Sequence, residues 1–151
     1  MTTSGDHADV MALLARERSG VLCTLHSRHE SWPFGSLAPY ALTDAREPIF
    51  LFSGIAEHTR NLRADGRASL LVQDSGARGD PLAGARVTLM GRAEELVGEP
   101  RALSLATYLA RFPKANAFAT AHDFSPFILR IERARWIAGF GAMGYIERGQ
   151  W

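Results

Sequence analysis

The sequence predicts a mainly β protein, an antiparallel barrel with peripheral helices. Three observations carry this reading. Six or more short apolar, β-branched runs recur along the 151 residues. The stretches between consecutive runs are mostly too short for the crossover helices that a doubly wound parallel sheet, the rival arrangement, would need. Two or three segments show helical spacing. The length matches about one domain, 1–151, and there is no internal repeat, low-complexity tract or linker.

Taken in order, the first element starts at Asp6, which suits a helix N-cap. It sets Val10, Leu13 and Leu14 on one face and stops at Ser19-Gly20. Val21 to His26 reads as a strand, Ser27 to Pro33 as a hairpin connection, and Phe34 to Leu42 as a second strand. Gly35, the small residues and Pro39 are odd there for a central strand, and point to a bulge or the close approach of a ligand. After a turn over Thr43 to Pro48, Ile49 to Ser53 shows no clean alternation, so it is expected to be buried on both faces or to lie in a barrel wall. Residues 53–65 (SGIAEHTRNLRAD) give one or two helical turns, Arg67 to Asp74 another strand, and Ser75 to Gly84, with three glycines and a proline, a flexible loop. Ala85 to Val97 predicts a strand bent at Gly91. Glu99-Pro100 opens a helix that carries Leu103, Ala106, Leu109 and Ala110 inward, and Ala115 to Asp123 is a loose helix or loop. Phe127 to Arg133, then Ala134 to Tyr145, read as a final strand broken by glycines.

Hydrophobic content of 46%, 22% charged residues and a net charge of +1 give no bulk attraction to nucleic acid or an anionic membrane. The single Cys23 allows no intrachain disulfide and no cysteine cluster. No apolar run reaches the roughly 20 residues of a bilayer span, and the first ten residues lack an export pattern. A cytoplasmic protein is expected.

Local chemistry concentrates in residues 53–65. Arg60 and Arg63, with His58, place positive charge at a helix N-terminus, where free N–H groups and the dipole favour an anion. Ser53 and Thr59 add hydroxyls and Asn61 an amide, a set suited to a phosphate. The bland alternative is that Thr59 caps the helix, the arginines are solvated and Asn61 closes a turn. No P-loop or dinucleotide fingerprint occurs. His26, His29 and His122 lack metal-site spacing, so no metal is expected. Cys23 has no basic neighbour to make it a nucleophile. Trp32, Trp136, Phe140 and Tyr145 could stack on a flat ring or simply pack.

In order and spacing, PFGSLAPYAL, PIFLFSGIAEHTRNLRADGRASLLV, GARVTLMGRAEEL and ARWIAGFG resemble the FMN-binding split-barrel family related to pyridoxamine 5′-phosphate oxidase, in the branch that includes the haem-utilization proteins. The resemblance implies a six-stranded antiparallel split barrel that forms a homodimer, with FMN in grooves between the subunits. Ser36, Leu37 and Ala38 would then edge the isoalloxazine ring. Ser53 and Gly54 would lie beside the flavin or its ribityl chain, and His58, Thr59 and Asn61 at the phosphate. A lysine is common in the family where His58 stands, which leaves more of the charge to Arg60. Arg86 would reach the flavin from the second subunit, and Trp136 and Phe140 lie in the segment that resembles the flavin cover. The implied activity is an FMN-dependent oxidoreductase acting on a small molecule, with the flavin rather than a side chain carrying the chemistry. The R-L-x-P motif of the pyridoxal-forming oxidases is absent, and no histidine follows His122 to ligate a haem iron as in the family's usual tail. A flavin-free regulatory module and a haem-binding or haem-degrading protein are the alternatives.

Overall fold

The computed structural model describes residues 4–121 and 123–151; His122 lies outside them. The elements run α1 (Ser4–Arg16), β1 (Ser19–Leu25), β2 (Pro33–Pro39), β3 (Ala41–Leu42), β4 (Pro48–Ser53), α2 (Glu57–Ala64), β5 (Arg67–Gln73), β6 (Ala85–Glu95), α3 (Gly98–Arg111), α4 (Asn116–Ala119), β7 (Phe124–Ala138) and β8 (Met143–Glu147). The strands pair antiparallel in the order β2-β1-β5-β6-β7-β4-β3, and β8 folds back on the far half of β7. β2 and β3 stand at opposite ends of that order, yet they are one stretch of chain interrupted at Tyr40. Pro33–Pro39 pairs with β1 and Ala41–Leu42 with β4, so the sheet closes on itself. With β2 and β3 counted as one, this is the expected six-stranded barrel.

Tyr40 fastens the corner. It is fully buried, its N–H donates to the Arg18 carbonyl at 3.1 Å, and its hydroxyl donates to the Leu14 carbonyl of α1 at 2.7 Å. Burial also holds the phenol far above its ordinary pKa. The unusual composition of β2 follows from its place: it ends the sheet order, where proline costs no ladder bond.

Alternation then sorts the core. Phe50 and Phe52 of β4 face the barrel interior with Leu22, Leu70, Val72, Val87, Leu89, Phe127 and Leu129. Ile49 and Leu51, on the other face of β4, pack with Ala41, Tyr108, Ala115 and Ala119, so β4 is buried on both faces. α3 provides that cover by a different face from the expected one. Ser104 and Tyr108 are buried, whereas Leu103 is 71% exposed and Ala106 and Ala110 also face outward; Leu109 alone of the four packs against the cluster. The Tyr108 ring, 4.9 Å from that of Phe112, is buried in this cluster, and a large aromatic side chain facing inward sets the rotation of the helix.

β6 bends where expected. Met90 pairs with Arg133 and Gly91 with Ile131, which leaves Glu132 unopposed as a bulge. A Cβ at Gly91 would overlap the Arg130 carbonyl oxygen. The expected continuation of the last strand to Tyr145 is instead a reversal: Gly139 and Gly141, at φ 69° and 116°, turn the chain into β8. Among the described residues no helix is long and apolar enough to cross a membrane. Because backbone blocks the site, Gly91→Ala should lower stability by about 3 kcal/mol, read as a lower denaturation midpoint with an unchanged denaturant slope.

Candidate functional site

α2 plugs the end of the barrel opposite α1. Leu62 enters the core. Asn61, fully buried, donates from Nδ2 to the Thr24 hydroxyl at 3.0 Å and accepts the Ser27 N–H on Oδ1 at 2.9 Å, which ties the helix to the end of β1. Thr59, also fully buried, donates to the Ser53 carbonyl at 2.6 Å and ties it to the end of β4. Both side chains therefore serve the fold and present no donor outward.

The cations of the same stretch are engaged as well. Glu57 occupies the first turn of α2, where the dipole favours an anion. It stands 3.6 Å from Arg60 and 3.4 Å from His26 Nε2. Arg63 makes a two-pronged pair with Glu95, at 2.8 and 2.9 Å. The His58 ring lies 4.3 Å from the Phe52 ring, and burial lowers its pKa, which favours the neutral form.

Ser53 and Gly54 are held by a residue that sequence reasoning did not single out. The Ser53 hydroxyl donates to Asp123 Oδ2 at 2.6 Å, and the Gly54 N–H donates to the Asp123 carbonyl at 2.5 Å. They are 70 positions apart, so no local pattern could have signalled the contact.

The other expected site residues are dispersed. Ser36 and Ala38 lie opposite Leu22 and Gly20 on the inner face, whereas Leu37 points outward, 75% exposed. The side chains of the three thus do not form one edge. The Arg86 guanidinium donates to the Leu82 and Gly84 carbonyls and braces the preceding loop. Trp136 is a core residue at 2% exposure, whereas Phe140 stands out on the β7–β8 turn at 73%, so the two do not form a cover.

What the fold leaves open is the outer face of β2, β1, β5, β6 and the far half of β7. Leu37, Val21, Leu71, Thr88, Arg135 and Tyr145 are successive cross-strand neighbours there. Arg133 and Arg135 both stack on the Tyr145 ring, at 3.9 and 4.7 Å, and Arg133 also pairs with Glu147. Leu37, Val21, Met143 and Tyr145 are exposed apolar groups on this face.

A closed six-stranded barrel with plugged ends and one uncovered apolar wall defines a split-barrel protein. The chain belongs to the CREG β-barrel family, which it matches over residues 5–151. It is 31% identical over 144 residues to the chloroplastic heme oxygenase HOZ of Arabidopsis thaliana, an alignment that covers 94% of this chain and 43% of that protein. It is 34% identical to a heme binding protein from Mycobacterium smegmatis, with a TM-score of 0.90 over 99% of this chain and 61% of that one. A Clostridium acetobutylicum protein of the pyridoxinephosphate oxidase family shares the fold, at TM-score 0.74 and 10% identity, over 97% of this chain and 96% of that one. The chain thus spans less than two thirds of the length of the first two proteins.

Two outcomes follow. Asn61→Ala leaves the Ser27 N–H without its acceptor and should cost about 2 kcal/mol in denaturant titration. For His58, the unfolded imidazole takes a proton below its ordinary value of 6.5 while the native ring resists it. Its contribution is therefore present above about 6.5 and lost as pH falls. Denaturation midpoints measured from pH 8 down to about 5 should show a decline that His58→Phe flattens.

Proposed function

We propose that this chain binds haem on the uncovered outer wall of its barrel, between two copies of itself. The observation that carries the reading is the condition of the β4–α2 turn. The groups that an FMN phosphate would need are buried and bonded (Thr59, Asn61), paired with carboxylates (Arg60, Arg63) or kept neutral (His58). These side chains do not fit a dianionic phosphate. The choice of haem rests on the two relatives described above, a heme oxygenase and a heme binding protein.

The wall supplies what a flat apolar ring with anionic edges requires. Leu37, Val21 and Leu71 lie side by side across β2, β1 and β5, and burying them is favourable at roughly 25 cal/mol per Å². Arg135, held on the Tyr145 ring, stands where a carboxylate at the ring's edge would be met. A second copy over the same wall would keep water from the ring and cover the exposed leucine. Bound there, haem supplies the iron for oxygen chemistry, and the chain's residues orient it and pair with its edges.

The second reading is the FMN-dependent oxidoreductase. It is favoured by β2, whose free edge and small residues leave backbone N–H and C=O groups within reach of a flavin ring. Hemin titration separates the two. A shifted Soret band saturating at a fixed ratio to the chain is expected, with affinity lowered roughly tenfold in Arg135→Ala, the loss of one charge-assisted contact. An unshifted band together with a melting temperature raised by FMN equally in the wild type and in Trp32→Ala would replace haem with flavin. Leu37→Glu should convert a dimer to a monomer in sedimentation, and an unchanged mass would remove the wall from the interface.

A further inference from the structure

Trp136, Tyr40 and Tyr108 are buried, and the Tyr145 ring carries two guanidiniums. Trp32 is 68% exposed at the tip of the β1–β2 hairpin. The tip is a tight turn, with the Trp32 N–H donating to the His29 carbonyl at 2.9 Å and both central residues left-handed, Glu30 at φ 49° and Ser31 at φ 59°. Asn-Gly makes such a turn without strain, whereas Glu-Ser does not.

The strained tip is built on a rigid base. The His26 N–H donates to the Trp32 carbonyl at 2.9 Å, the Ser27 N–H is fixed by Asn61, and the Arg28 N–H donates to His26 Nδ1 at 3.1 Å. The His26 ring stands against Phe34 and lies 4.4 Å from the His29 ring. Arg28, His29, Glu30 and Trp32 line an open hollow of about 400 Å³. It thus brings together an indole face, a guanidinium with an imidazole, and a carboxylate.

We infer that the hairpin tip binds a nucleotide-like ligand, with a planar ring stacked on Trp32, an anionic phosphate on Arg28 and His29, and sugar hydroxyls donating to Glu30. These three chemistries answer the three parts of such a molecule. A polar ring face is met by stacking, which tolerates many heterocycles. The site is separate from the outer wall and does not rest on the haem reading.

FMN, riboflavin and NADH are the probes, titrated against the purified chain and followed by ligand fluorescence. FMN and NADH both carry a planar heterocycle and phosphate but differ in the ring system, so their relative affinity identifies the nucleotide. Trp32→Ala should weaken the tighter one by roughly tenfold, as loss of a ring stack does, while Trp32→Phe stays within about threefold. Arg28→Ala should weaken FMN and leave riboflavin, which lacks the phosphate, unchanged. Ser31→Gly should raise the melting temperature and leave ligand affinity in place. Equal affinity of wild type and Trp32→Ala for all three probes would overturn the proposal, as would a change in sedimenting mass in Trp32→Ala, which would make the tip a protein contact.

Discussion

A sheet of six strands can bury its inner face only by curling until its edges meet, and here both edges belong to one ten-residue stretch, Pro33 to Leu42. The chain changes partners at Tyr40. That residue must leave β1 and reach β4 without exposing its polar groups, and it does so by bonding to α1 on one side and to the Arg18 carbonyl on the other. Everything else follows from the closure. α1 and α2 must plug the two ends, and α3 must cover the outside of β4. The wall opposite is left bare, with Leu37, Val21, Met143 and Tyr145 exposed on it.

The closure also explains why the polar cluster of α2 does not behave as its composition promises. A helix that seals a barrel end must satisfy the last N–H and C=O groups of the strands it covers. Asn61 and Thr59 do this for β1 and β4, and a buried side chain with its capacity filled has nothing left to offer an anion. The same residue types at the same spacing would be a phosphate site on an open turn. On a plug they are joints. Family membership is compatible with either use, because the barrel is shared while the ligand is set by the side chains on its surface.

Much of the fold was legible in the sequence. The burial of β4 on both faces was written in its unbroken apolar run, the bend of β6 in Gly91, and the hairpin after β1 in its polar turn. α3 misled because leucine and alanine at helical spacing describe a stripe without saying which stripe wins, and Tyr108 decided it. The site was less legible. Whether Ser36 faces in or out depends on register with Leu22, and Ser53 on an aspartate 70 positions away. Neither relation leaves a local trace, so the sequence showed which residue types cluster at 53–65 and not which partners they take in the fold. Trp32 was visible as an aromatic residue, but its exposure on a strained turn is a property of the folded hairpin alone.

The bulge opposite Gly91 separates two things that usually travel together. Ile131, Ala134 and Trp136 all point into the core, although two residues rather than one lie between the first pair. Excising Glu132 would therefore leave a regular alternation of inward and outward side chains, with every strand pairing in place and only its ion pair with Arg148 and the bend gone. The curvature of this barrel is held by a count of residues in the chain, and a single-codon deletion could straighten the wall while leaving every remaining side chain on its present face.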